Sequence, residues 1–406
     1  MKITHPRNRE RRGFTLVELL VVLVIIGLLA SLITIAAVKG IGAARRTGNR
    51  VDIGEMDTAL SQFKQRFGFY PPSQIILCEV LADYYVGGLP ANGFKTQLHQ
   101  DSMAIISKMF PYISWGTINT PANGGLAWTG IDWDGNTLQA TSDVILEGDQ
   151  CLVFFLGGIP APCPAGNNTP IANVLPVTTP PACLGFSANP KNPADTVNPD
   201  RIGPFYEFNS SRLVLVLNNA GVTSTQTATF AAFRSPLHYS YLDRYGQSDG
   251  YGTLVAGFPY AYFSTNKATN SYDPYTSSSG IPPPPSTPFA PAYPYSDCIT
   301  LGVMNDAAAS VGPTGIWPYA ETALAGPLFG VPAGRYPNPN TCQIISAGAD
   351  RVFGSGSVPV WVGGAFNGFS LTWTSLNPPP GYASGVAGGY DDQSNFSGGQ
   401  LGANDQ

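Results

Sequence analysis

The side chains able to do chemistry are few and scattered. Three histidines occur, His5, His99 and His238, with no HExxH or comparable spacing, so a histidine-held metal is not expected. Gly354-Ser355-Gly356-Ser357 lacks the strand-to-helix setting of a nucleophile elbow, and there is no Walker loop or dinucleotide fingerprint. The six cysteines, Cys78, Cys151, Cys163, Cys183, Cys298 and Cys342, contain no CxxC pair, which argues against thiolate zinc and thiol exchange. In an oxidising compartment they could form disulfides in any of 15 full pairings, and buried thiols are the alternative. Asp132-Trp133-Asp134-Gly135-Asn136 lacks the spacing and distal glutamate of an EF-hand and reads as a turn. One acid stands out: Glu18 is the single ionisable residue in an apolar stretch from Phe14 to Val38. A carboxylate inside a bilayer costs roughly 2.5 kcal/mol or more, so it needs a partner. Nothing in this inventory makes an enzyme, and the chain is read as non-catalytic.

The element that must hold Glu18 is a helix. Lys2, Arg7, Arg9, Arg11 and Arg12 form a short basic leader, Gly13 follows, and the apolar stretch begins at once. About 20 helical residues cross the hydrocarbon, so 14–38 is long enough to span. A cleaved secretory signal would be shorter and would end at a small-residue cleavage site. A plain membrane anchor explains the length but not the glutamate. Beyond the span, Ile53, Met56, Leu60, Phe63 and Phe67 recur at steps of three and four, the period of one helical face, while Asp52, Glu55, Asp57, Ser61, Gln62 and Arg66 fall mostly on the others. Tyr70-Pro71-Pro72 ends the helix. Taken to Phe67, it would be about 80 Å long at about 1.5 Å per residue.

The remainder is a different kind of sequence. Only 12% of the 406 residues are charged, while Gly (46) and Pro (37) are abundant, which predicts a head of short strands and long loops. The net charge of −5 shows no basic face large enough to suggest a phosphate-binding surface, so nucleic acid is not expected as a partner of the head. Phe205–Phe208 and Arg212–Val216 read as two strands joined by Asn209-Ser210-Ser211, and Tyr239–Tyr262 as further strands broken by Gly246 and Gly250. Residues 115–200 read as a long loop insertion, and 271–295, with Ile281-Pro282-Pro283-Pro284-Pro285, as an extended one.

Arg12-Gly13-Phe14-Thr15-Leu16-Val17-Glu18-Leu19 resembles the prepilin signal of type IV pilins and type II secretion pseudopilins. The resemblance implies that prepilin peptidase cuts after Gly13, that Phe14 becomes N-methylated, and that Glu18 meets the N-terminal amine of a neighbouring subunit. Such a pair would offset part of the desolvation of both charges. It further implies a cytoplasmic leader, a single pass through the inner membrane, a periplasmic or extracytoplasmic head, and partners comprising other pilin-like subunits and an inner-membrane assembly platform. Lys39, Arg45, Arg46 and Arg50 balance the leader's positives, so charge alone does not set the orientation. Many members carry proline where this chain has Ile35. Phe63 to Pro71 resembles the helix-to-head junction of the major pseudopilin. Gln343-Ile344-Ile345-Ser346-Ala347-Gly348-Ala349-Asp350 and Asp391-Asp392-Gln393-Ser394-Asn395-Phe396 resemble its C-terminal strand and calcium loop, with Arg351 in place of the usual glycine and an insertion between the two strings. Calcium takes roughly six to eight oxygens, which Asp350, Asp391 and Asp392 with nearby carbonyls suit; solvated turn formers are the alternative.

The expected fold is α+β and pilin-like, a long N-terminal helix on an antiparallel sheet. The expected divisions are a leader at 1–13, a membrane half of the helix at 14–38, an amphipathic half at 39–67 and a head at 68–406. The function implied is a structural subunit of a type II secretion or related filament. A surface adhesin with an enlarged head is the runner-up and an anchored hydrolase comes third.

Overall fold

An uninterrupted run of leucine, valine, isoleucine and alanine, followed by a three-and-four stripe, folds as one helix, α1, over Leu16–Phe67. The computed structural model describes residues 16–116, 118–119, 128–135, 144–160, 180–216, 238–265, 337–349, 357–362, 365–371 and 392–396, together with 272, 297, 298, 301, 316, 318, 351 and 353. No proline interrupts α1, and the helix passes through Ile35 without a break. The chain divides into two compact units, Met1–Gly48 and Asn49–Gln406.

In the first unit every described residue from Leu16 to Ala30 is exposed, including Leu19, Leu23, Ile26 and Leu29. In the second unit the helical stripe goes inward. Ile53, Met56, Leu60 and Phe63 are buried, and Phe67 is partly buried beside them. Each such side chain contributes about 1.5–3 kcal/mol on leaving water. The rings of Phe67, Phe69, Phe155 and Phe205 surround Phe63 at 4.6, 5.8, 5.6 and 5.5 Å between centroids. The helix stops at Gly68, whose φ of +82° is left-handed and whose N–H returns to the Lys64 carbonyl at 2.7 Å. Tyr70-Pro71-Pro72 then carries the chain away, with the Pro71 carbonyl accepting from the Tyr262 hydroxyl at 2.7 Å.

The main sheet has three antiparallel strands in the order Ala261–Ser264, Cys342–Ser346, Gln393–Ser394. Its central strand is buried throughout, and Ile345 pairs with Ala261 on one side and Ser394 on the other. The two strings that resemble the pseudopilin C-terminal strand and calcium loop are therefore joined in space by this ladder. Other ladders have two strands, among them Ile75–Leu77 with Val144–Leu146. Within Tyr239–Tyr262 the alternating aromatics form Ser240–Tyr241, Gln247–Ser248, Leu254–Ala256 and the start of Ala261–Ser264, with a turn at Gly250, φ +82°.

Three sequence expectations change. Phe205–Phe208 is not a strand: the N–H groups of Phe205 and Tyr206 both donate to the Leu156 carbonyl, and the Phe205 ring fills the cluster around Phe63. Leu213–Val214 pairs with Ser240–Tyr241 instead. Asn209 caps a short 3-10 turn, accepting from the Ser211 N–H at 3.0 Å. Second, the stretch 115–200 holds core elements, the strand Val144–Leu146 and helix α3, Gly148–Gly157. Every residue of α3 is buried, and a Cβ at Gly148 would clash with the Tyr262 carbonyl, so only glycine lets the helix start so close to the sheet. Third, Asp52 lies on the buried face of α1, beside Ile53. The Ile281–Pro285 run falls outside the described residues.

Candidate functional site

Glu18 occupies the first turn of α1, where the positive end of the helix dipole favours a carboxylate. It is exposed and flanked by exposed Val17, Leu19 and Leu20. Gly13 and Phe14 lie outside the described residues. The geometry available for association is thus an apolar helical surface of membrane-spanning length with one acid near its start.

Within the second unit a buried polar cluster ties the remaining part of α1 to the head. Asp52 receives Arg244 Nη2 on Oδ1 at 2.6 Å, and Arg244 Nε and Arg212 Nη1 on Oδ2 at 2.8 and 2.7 Å. Burial works to raise the Asp52 pKa, but the hydrogen bonds from Arg244 and the charge of Arg212 outweigh it and hold the carboxyl below its usual range. The Tyr260 hydroxyl donates to Asn49 Oδ1 at 2.8 Å, and Asn49 Nδ2 donates to Ser346 Oγ at 2.7 Å. Ser346 in turn donates to Asp243 Oδ2 at 2.7 Å. Helix, central strand and the 240s loop are thereby joined by directional bonds.

Elsewhere three carboxylates converge. Glu79, Asp132 and Asp134 are buried, and their oxygens lie within 4.8 Å of one another. Two bonds bring the segments together: Ile131 N–H to the Glu79 carbonyl at 2.9 Å, and Trp133 Nε1–H to the Cys78 carbonyl at 3.1 Å. The oxygen-only set could hold a metal ion. The sequence reading of Asp132-Trp133-Asp134 as a turn missed this because Glu79 is remote in the chain; two acids flanking a tryptophan were the signal.

For the acids of the calcium resemblance, the antiparallel register brings buried Asp392, just before its strand, toward Ala347 at the end of the central one. Asp350 and Asp391 lie outside the described residues. Arg351 has a φ of +60°, the left-handed region that glycine enters without penalty. No disulfide is seen among the described cysteines, and Cys163 lies outside them. Burial pushes the Cys183 thiol up to about 12, which disfavours its thiolate form.

His238 is a core residue rather than a catalyst. It is buried against the Phe154 ring, and because the Trp133 carbonyl can only accept, Nε2 carries the proton of their 3.2 Å bond. Burial lowers its pKa to about 3, so the folded chain keeps it neutral while the unfolded chain protonates near 6.5. The unfolded state therefore binds more protons between those values, and stability falls as pH falls. Relative to His238→Gln, the parent chain should lose about 3 kcal/mol between pH 7 and 4, at about 1.4 kcal/mol per unit. Burial also raises Asp243 and Asp297 to about 6, with the opposite sign, but both are common to the two chains. Urea melts at the two pH values measure the difference, and parallel pH profiles would exclude a linkage at His238.

Residues 8–34 match the family described as the prokaryotic N-terminal methylation motif. The chain is also similar to type II secretion system core protein G of Klebsiella michiganensis, at 33% identity over 103 residues that make up 23% of this chain and 70% of that protein. No solved structure matches it.

Proposed function

The chain belongs to the family of type II secretion system core protein G, and from that premise we propose that it is a pilin-like subunit that assembles into a filament through α1. The observation that carries the proposal is the methylation motif over 8–34 leading directly into an exposed apolar helix. On this reading prepilin peptidase removes residues 1–13 by cutting after Gly13, and Phe14 becomes the methylated N-terminus. Residues 14–38 hold the subunit in the inner membrane with the head, 68–406, on the extracytoplasmic side. Glu18 then meets the N-terminal amine of another copy or of a related subunit on an inner-membrane platform. Intact mass and N-terminal analysis of membrane-extracted protein tests the pathway. A chain starting at N-methylated Phe14 is expected; a chain starting at Met1, with the peptidase present and active, would sink the proposal.

A calcium ion in the loop of Asp350, Asp391 and Asp392 is proposed on the resemblance of the two strings that the central strand unites. Calcium at about 100-fold over its Kd would stabilise the head by about 2.7 kcal/mol. Melting in calcium against a chelator should show a higher Tm, abolished in Asp392→Asn. A shift that survives Asp392→Asn and disappears in Asp132→Asn would move the ion to the buried Glu79 cluster, and no shift in the parent chain would remove calcium altogether.

A further inference from the structure

The turn that follows Phe205–Phe208 carries an acceptor motif. Three Asn-x-Ser/Thr strings occur in the chain, Asn167-Asn168-Thr169, Asn209-Ser210-Ser211 and Asn395-Phe396-Ser397. Asn167 lies outside the described residues. Asn395 is committed to the core, since its Nδ2 donates to Asp57 Oδ1 at 2.9 Å and to the Cys342 carbonyl at 3.1 Å. Asn209 is exposed, and the bonds of its side chain both arrive on Oδ1, from the Ser211 N–H at 3.0 Å and the Ser211 hydroxyl at 2.8 Å. Nδ2, with its two protons, makes no hydrogen bond among the described residues. The turn is anchored by the Phe208 ring, 4.9 Å from the Tyr241 ring between centroids, and by the Arg212 N–H, which donates to the Asn209 carbonyl at 2.9 Å. Glu207 and Ser211 are exposed on either side of Asn209.

We propose that Asn209 is an N-glycosylation site, taking its sugar from an isoprenoid-diphosphate-linked donor. In the transfer, Nδ2 attacks the anomeric carbon of the donor sugar and a C–N bond forms. The bond from that carbon to the diphosphate oxygen breaks, the isoprenoid diphosphate leaves with the electron pair, and the proton lost from Nδ2 passes to a base of the transferase. An amide nitrogen is a poor nucleophile while it keeps both protons. The two bonds from Ser211 stabilise the negative charge that Oδ1 gains as Nδ2 gives one up, so a hydroxyl two residues on suits this chemistry. Glu207, two residues before Asn209, presents a carboxylate that a cationic group of the transferase can hold; the corresponding places before Asn167 and Asn395 are Ala165 and Gln393. The proposal rests on the reading of the head as extracytoplasmic, where Asn-x-Ser/Thr acceptors are modified. On that reading the span also tethers the acceptor to a membrane able to carry the donor lipid.

The test takes the full chain from the membranes of the cells that make it and reads the tryptic peptide 202–212 by mass spectrometry. Asn209 is the one asparagine in that peptide. The parent peptide should be heavier by one oligosaccharide, and fragmentation should place the sugar on Asn209. Asn209→Asp keeps an Oδ1 to cap the turn and loses the nitrogen, so the head should fold and the mass shift should vanish. Ser211→Ala should also lose the shift, and Ser211→Thr should keep it. An unmodified parent peptide overturns the proposal, as does a sugar on Ser210 or Ser211, or one that persists in Asn209→Asp or Ser211→Ala. Protease added outside spheroplasts with an intact inner membrane tells the failure of this site from the failure of the orientation beneath it. A digested head with an unmodified peptide overturns the glycan alone, whereas a protected head overturns the extracytoplasmic reading and the glycan with it.

Discussion

Glu18→Ala should leave the chain cut after Gly13 and methylated, yet unable to associate with its own copies. Two effects act in the same direction. Removing the carboxylate relieves the isolated subunit of a cost on the order of 2.5 kcal/mol in the bilayer, so the membrane state becomes more comfortable. On the proposed pairing, it also leaves the partner amine in the assembled state buried without its counter-charge, a loss of several kcal/mol. Together these approach about 5 kcal/mol, or more than three decades in association constant. Glu18→Gln, which keeps a polar side chain and loses the charge, should fail to a similar degree. Sedimentation of sheared filaments or cross-linking between single cysteines on α1 reads the outcome. Assembly at the parental level would sink the pairing role of Glu18 while leaving the processing pathway intact.

A second large effect belongs to Asp52. Asp52→Ala should destabilise the head by about 3 kcal/mol, the lower part of the range for removing one partner of a buried ion pair. The lower part applies for two reasons. The Arg244 side chain is 43% exposed, so water takes over much of its solvation. Arg212 is 14% exposed, but keeps the Leu242 carbonyl and its seat on the Tyr241 ring, 4.3 Å from the centroid. Asp52→Asn retains the shape and one acceptor, and should cost less. The same stabilisation should drain away in acid, because a carboxyl held below its usual pKa contributes fully above the unfolded value and is lost as pH falls through the folded one. Denaturant melts of the detergent-solubilised chain measure the loss; a value below about 1 kcal/mol would show that the cluster only marks register and does not hold the helix.

How far the sequence reveals this molecule depends on whether the signal is local. The stripe from Ile53 to Phe67 is local, because the period of one helix carries it, and those residues are the ones buried in the second unit. Asp52 was placed with the polar faces because its partners, Arg212 and Arg244, lie 160 and 192 residues away. Helix α3 was hidden for another reason. Its residues are buried on every side, so Leu152-Val153-Phe154-Phe155-Leu156 shows no alternation from which to tell a helix from a strand. Three of the four residues Phe205–Phe208 are aromatic, the composition that strands favour, and the N–H groups of Phe205 and Tyr206 were claimed by the end of α3 instead. Arg351 was visible as a departure from the glycine of the resemblance, and its backbone lies in the left-handed region that glycine enters without penalty. Of the candidate site, the span and Glu18 were legible because composition alone defines them, whereas the cluster of Glu79, Asp132 and Asp134 exists only once the chain has folded.

The central strand Cys342–Ser346 has a consequence for the order in which the chain can fold. Its neighbours are drawn from about 80 residues before it and about 50 after it, so neither ladder closes through a local hairpin. Asn395 then bonds Asp57 of α1 at 2.9 Å, across a separation of 338 residues, and exchanges bonds with Cys342 and Ile344 of the central strand. During synthesis α1 emerges first and waits longest for its last partner. Until residues 393–395 arrive, one edge of the central strand stands open, and completion of the head is a late, slow event prone to wrong pairings.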